Sequence, residues 1–195
     1  VLCTATQPAL GRLFKQLAPT LVQHEIAPDP DELFDCFRRV SFCREGVFMP
    51  EKLAERLTET AQVLCIVNTR KRARQVYESL PEEGRFHLST LMIPTDREKT
   101  LNAIRTRLQN GKTCRVVSTS LVEAGVDVDF PSVWRELAGL DSILQAAGRC
   151  NREGKRSAAE SVVHVFEAEG EPPRSMMQQR EATTKVMGEF EEINT

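Results

Sequence analysis

Gln145, Gly148, Arg149 and Arg152 form a QxxGRxxR pattern whose natural chemistry is the binding of a phosphate. A guanidinium is always charged, and its planar fork matches phosphate oxygens. Two of them three residues apart on a helix point to one side and reach one phosphate together. Such a group speeds phosphoryl transfer when it is delivered to the oxygens on which negative charge accumulates. Some twenty residues upstream, Gly125-Val126-Asp127 supplies a glycine that lets backbone approach a ligand closely, followed by a carboxylate. The simpler alternatives are arginines paired with surface acids such as Glu153 and an aspartate that caps a turn.

A second group of polar residues follows strand-like runs. Asn68-Thr69-Arg70 comes after 63–67, Leu88-Ser89-Thr90 falls at the end of 86–91, before Arg97, and Thr119 comes after 114–118. Amide, hydroxyl and guanidinium groups suit a sugar-phosphate backbone, which they position without reading sequence. In open α/β sheets ligands gather at the carboxyl ends of strands, where these residues fall.

The elements that must hold these groups alternate between short apolar runs and helical patterns, the signature of parallel strands joined by crossover helices. Strands are predicted at 39–42, 63–67, 86–91, 114–118, 133–137 and 162–166. Helices are predicted after Pro8, at 50–59, after Thr69 with Ala73, Val76, Tyr77 and Leu80 on one face, at 94–109, at 141–149 and at 176–193. Asn110-Gly111 is a good stop for the fourth of these, and Asp141 is a plausible N-cap for the fifth. The last has an apolar face of Val186, Met187, Phe190 and Ile193 without an evident partner. Right-handed crossovers then give an α/β, RecA-like three-layer sandwich, a mostly parallel sheet with helices on both faces. The organisation expected is 1–23 as the tail of a preceding domain, 24–37 as a linker rich in proline and acids, 38–170 as the main domain and 171–195 as a C-terminal amphipathic helix.

Composition fits one ordinary core: 195 residues, 41% hydrophobic and 28% charged, net charge -2. No run approaches the roughly 18 apolar residues of a membrane span, and no signal peptide is visible, so a cytoplasmic setting without membrane contact is expected. The net charge does not by itself favour nucleic acid, but Arg70, Lys71, Arg72 and Arg74 cluster, as do Arg149, Arg152, Lys155 and Arg156. Either cluster alone also reads as a solvated helix face. The six cysteines lack zinc-ligand spacing, and His24, His87 and His164 stand isolated, so no metal site is expected. Tyr77 fits a core face, while Trp134 is either core or a base-stacking residue.

In this order the motifs resemble superfamily 2 helicases: strand-Thr4-Ala5-Thr6 resembles motif III, Asn68-Thr69-Arg70 motif IV, the Thr119 to Asp127 stretch motif V and QxxGRxxR motif VI. TATQPAL, LSTLMIPTDRE and the long run over 117–154 are similar to the CRISPR-associated helicase-nuclease of type I interference systems. The resemblance implies a second RecA-like helicase domain of the P-loop NTPase type, with Arg152 as arginine finger and Arg149 supporting the phosphate. It implies Gly125, Asp127, Gln145 and Gly148 at the nucleotide, with Asp127 facing the ribose or the arginines. Asn68, Thr69, Arg70, Thr90 and Thr119 would lie along single-stranded DNA.

The implied cofactors are ATP and magnesium in the parent protein. The implied partners are an N-terminal RecA-like domain, a nuclease domain and the CRISPR interference complex, in antiviral defence. No GxxxxGK[ST] loop, DExH box or histidine-aspartate pair is present, so this stretch alone is expected to be inactive and to hold no cofactor tightly. The competing readings are a free-standing nucleic-acid-binding or interaction module, and a domain of a related RNA or repair helicase.

Overall fold

A computed structural model describes residues 38–122 and 126–189, together with Asp29 and Glu32. The helix expected after Pro8, the Thr4-Ala5-Thr6 segment, most of the linker, Gly125, Phe190 and Ile193 lie outside the described residues. The chain divides into two compact units, 1–37 and 38–195. The second contains everything that follows.

Six strands form one sheet: β1 (Ser41–Phe48), β2 (Gln62–Ile66), β3 (Arg85–Leu88), β4 (Cys114–Ser118), β5 (Ser132–Glu136) and β6 (Val162–Ala168). Their order is β1-β6-β5-β2-β4-β3, and every pair is parallel. The helices are α1 (Pro50–Thr58), α2 (Arg70–Ser79), α3 (Pro94–Gln109), α4 (Leu140–Ala147) and α5 (Met177–Glu189).

Strict alternation along the strands builds two cores. From β2, Val63 and Cys65 point to one face, where they meet Leu53 and Leu57 of α1, Ala73 and Val76 of α2, Trp134 and Phe166. Leu64 and Ile66 point to the other, against Leu101 and Ile104 of α3 and Ala146 and Ala147 of α4. Burial on both faces is what a continuous apolar run in a parallel sheet requires. The result is the expected three-layer α/β sandwich. Proline opens α1 and α3, where its missing N–H costs nothing. Gly111, at φ +64, ends the α3 region as predicted.

Several boundaries move. The first strand runs over Ser41–Phe48, well beyond the predicted 39–42, because the ladder to β6 carries it through polar residues that an edge strand tolerates. β3 stops at Leu88, where Ser89 turns the chain by accepting from the Met92 N–H. Helix α4 starts on Gly139 with no side-chain cap, so Asp141 is not its N-cap. The carboxylate sits instead in the first turn, facing the positive end of the helix dipole. α5 does have a partner: Met187 packs against Leu137, Ile143 and Val165, and Arg180 reaches Glu167 at 3.0 Å. Trp134 is a core residue, stacked on His164 with ring centroids 4.4 Å apart. His164 is therefore not isolated. No described helix is long and apolar enough to cross a membrane.

At the carboxyl edge, two buried charges tie β5 to β2. Glu136 accepts from the Asn68 backbone N–H at 2.8 Å and from Arg72 at 2.5 Å, while Arg135 donates to the Asn68 side-chain oxygen at 2.7 Å. Removing one partner strands the other in a place with little water. Glu136→Leu should lower the unfolding free energy by about 3–5 kcal/mol in urea titration. A loss under about 1 kcal/mol would mean that the network is not a structural tie.

Candidate functional site: an arginine loop and a polar strand edge

The arginine motif is not a helical pair. α4 ends at Ala147 and Gly148 caps it, so Arg149 and Arg152 lie in the loop beyond it and do not share a helix face. The helix is stopped by a one-residue parallel bridge between Phe130 and Cys150. The Phe130 N–H donates to the Arg149 carbonyl at 2.9 Å, and the Asn151 N–H donates back to the Phe130 carbonyl at 3.0 Å.

Asn151 makes the loop possible. It is fully buried with φ 46, a left-handed conformation that asparagine tolerates better than most residues. Its amide nitrogen donates to the carbonyls of Arg39 and Arg156 at 2.8 and 2.7 Å, and its oxygen accepts from the Arg156 N–H at 3.0 Å. Sequence reading overlooked this residue; the signal was an asparagine three positions before Gly154.

The two arginines have different surroundings. Arg149 is only 8% exposed and donates through Nε to the Val122 carbonyl at 2.8 Å. Burial pulls its pKa below the usual arginine value, and the charge of Arg152 adds to this while Asp127 opposes it. The starting value is so high that the side chain stays cationic. Arg152 is 44% exposed at its side chain and pairs through Nε with Asp127 Oδ1 at 2.9 Å. Its own N–H donates to Asp129 at 2.8 Å, and Asp129 also takes Arg156 at 3.4 Å.

The acids alternate with buried Val126, Val128 and Phe130: Asp127 faces outward, while Asp129 is largely covered beneath Arg152 and Arg156. Arg105 of α3 holds the Asp127 carbonyl at 3.0 Å. Glu153 pairs with Lys155, while the acid that meets Arg152 is Asp127. Gln145 lies exposed on α4 and Gly148 is exposed at its end.

The second group lies on the opposite edge. Register puts Asn68-Thr69-Arg70, Thr119 and Thr90 just past the carboxyl ends of β2, β4 and β3, three adjacent strands. Phe130, which anchors the arginine loop, precedes β5 at the amino edge. The chain from Thr119 to Phe130 therefore joins the two.

Along the carboxyl edge the side chains are unequally available. Asn68 uses its oxygen on Arg135 and its nitrogen on the Leu137 carbonyl at 2.9 Å. Thr69 caps α2 by accepting from the Arg72 N–H at 3.2 Å. The Thr119 hydroxyl is buried and has no hydrogen-bond partner among the described residues. Thr90 and Arg70 are exposed, and Arg70 and Lys71 make no ion pair among the described residues. Of the predicted basic cluster, Arg72 is spent on Glu136 and Arg74 on Glu78 at 2.7 Å.

With the geometry in place, known proteins can be set beside it. The family model described as "CRISPR-associated nuclease/helicase Cas3, C-terminal" matches residues 59–155, a span that includes both the carboxyl-edge group and the arginine loop. That stretch belongs to the Cas3 C-terminal family. The CRISPR-associated helicase Cas3 of Thermoproteus tenax is 30% identical over 134 residues, 67% of this chain and 22% of the relative.

The chain spans about a fifth or less of the curated Cas3 relatives it matches. The fold agrees as well. The crystal structure of T. fusca Cas3-ATP superposes with TM-score 0.62 at 21% identity, over 80% of this chain and 22% of that one. The C-terminal domain of the DEAD-box protein Dbp5 superposes with TM-score 0.56 at 15% identity, over 78% and 88%. The Cas3-like domain thus has the RecA-like α/β fold of these two structures.

Since Asn151 supports both the left-handed backbone and three hydrogen bonds, Asn151→Ala should cost about 3 kcal/mol in urea unfolding. Asn151→Gly keeps the backbone conformation and should be about 1 kcal/mol less harmful. Equal losses would show that the backbone conformation carries no part of the effect.

Proposed function

We propose that this Cas3-like domain is the second half of an ATP-driven DNA motor in CRISPR interference, acting on an ATP molecule held chiefly by a first RecA-like domain. The observation that carries the proposal is the arginine loop. It is fastened to the sheet by the Phe130–Cys150 bridge and Asn151, and it presents one half-exposed guanidinium beside a carboxylate.

In this reading Arg152 is the finger. Its contact with Asp127 is a resting position at the surface, worth little in water. A γ-phosphate brought against the loop offers more negative charge in a drier cleft, and the guanidinium moves to it. Arg149, buried and fixed on the Val122 carbonyl, supplies positive charge without moving. Asp127, once released, is free to accept from a ribose hydroxyl, and the exposed Gln145 and Gly148 are the further nucleotide contacts. Magnesium, bound with ATP, would neutralise the β- and γ-phosphates.

Single-stranded DNA runs along the carboxyl edge. Arg70 and Thr90 are the groups available for its phosphates, and the unsatisfied Thr119 hydroxyl gains a partner when the strand binds. Asn68 and Thr69 shape this edge as much as touch the strand, since both are already engaged. The Cas3 relationship supports recruitment by a CRISPR interference complex and a cytoplasmic setting.

In the full-length protein, Arg152→Ala should reduce single-turnover ATP hydrolysis by about 10³-fold or more, with ATP binding changed much less. Turnover near the unaltered rate removes Arg152 from the finger role. Arg70→Ala should make the slope of log affinity for single-stranded DNA against log salt shallower by about 0.7, as one lost phosphate contact requires. An unchanged slope, measured by fluorescence anisotropy, places the strand elsewhere.

A further inference from the structure

Cys43 and His164 are directly paired across the parallel ladder between β1 and β6. Glu45, two residues along β1, joins them: its Oε1 lies 2.8 Å from His164 Nδ1 and 3.6 Å from Cys43 Sγ. The three ligand atoms all fall within 4.8 Å of one another. We propose that Cys43, Glu45 and His164 form a binding site for a divalent transition-metal ion of the zinc type, where β1 pairs with β6.

The donor set selects the ion. A thiolate and an imidazole favour zinc or cobalt over magnesium and calcium, which take oxygen ligands. Tetrahedral zinc with bonds of about 2.0–2.3 Å holds its ligands about 3.3–3.8 Å apart. The sulfur-to-oxygen distance already lies in that range. The oxygen-to-nitrogen distance is that of a hydrogen bond and widens by roughly half an ångström when a metal takes the place of the proton.

The cluster is also oriented. Trp134 stacks on the His164 ring, with planes 15° apart, and so limits the directions Nδ1 can take. The side chains of His164 and Glu45 are 20% and 18% exposed, and Cys43 is exposed, so an ion has a route in and water has room for the fourth position. Three protein ligands and one open position match exchangeable rather than closed structural zinc sites.

Binding must release one proton. Burial raises the Cys43 pKa, with the Glu45 charge and hydrogen bond adding to this, and the thiol donates to Glu45. The metal bonds to sulfur as the S–H bond breaks and the proton leaves to solvent. His164 binds through neutral Nδ1 with its proton on Nε2, and Glu45 binds as the carboxylate.

Titration of the unaltered chain with Co2+ under a non-thiol, non-chelating reductant should give one bound ion with a near-ultraviolet thiolate-to-cobalt band, lost on adding zinc. Cys43→Ser should abolish the band. His164→Gln should weaken binding at least as much as the 10- to 100-fold that loss of an outer-shell partner costs. No band in the unaltered chain, or a full band in Cys43→Ser, overturns the site. If these variants fail to fold, the unaltered chain still decides. Saturating zinc should slow alkylation of Cys43, located by peptide mass mapping, and an unchanged rate also overturns the site.

Discussion

Burial of β2, β4 and β5 on both faces governs where everything else can go. A strand between two helical layers has no wet side, so Val63 to Ile66, Val116, Val117 and Val133 are apolar regardless of function. Polar chemistry is therefore confined to the two ends of these strands and to the β1–β6 side of the sheet. The carboxyl ends carry Asn68, Thr90 and Thr119; the amino end of β5 receives the arginine loop; β1 and β6 hold the cysteine, glutamate and histidine. The buried charges Arg135 and Glu136 are an exception that fits the rule, since they lie at the last residues of β5 and are hydrogen-bonded to Asn68 in the turn after β2.

Much of this was legible in the residues. Five-residue apolar runs, proline at helix starts and Asn110-Gly111 are local signals, and the elements they mark fall within a few residues of expectation. Motif order carried the family, because residues 59–155 contain the motif IV, V and VI resemblances together. What escaped sequence reading was non-local. The helix before the arginines looked long enough to include them because nothing in LDSILQAAGRCNR announces a bridge to Phe130. A strand pairing with a residue twenty positions earlier leaves no periodic trace.

The same holds for the side chains that compete with function. Thr69 is an N-cap and Asn68 a junction, and either role would be as strict about residue type as a DNA contact. Such positions resemble helicase motifs partly because the fold itself needs them. His164 illustrates the converse: isolated in sequence, it acquires Trp134 on one side and Glu45 on the other only when β5, β6 and β1 line up. Parallel pairing is what brings Cys43, 121 residues away, opposite it.

The stacking of Trp134 also has a practical meaning. The chain has a single tryptophan, buried in the sheet between β2 and β6 and surrounded by Phe48, Phe166 and His164. Its emission is one intrinsic lamp at a known depth. A red shift records the wetting of the face between the sheet and α1 and α2, with no other indole to blur the signal. Light from this chain reports on its interior and its β1–β6 edge, while the arginine loop and the carboxyl edge remain dark.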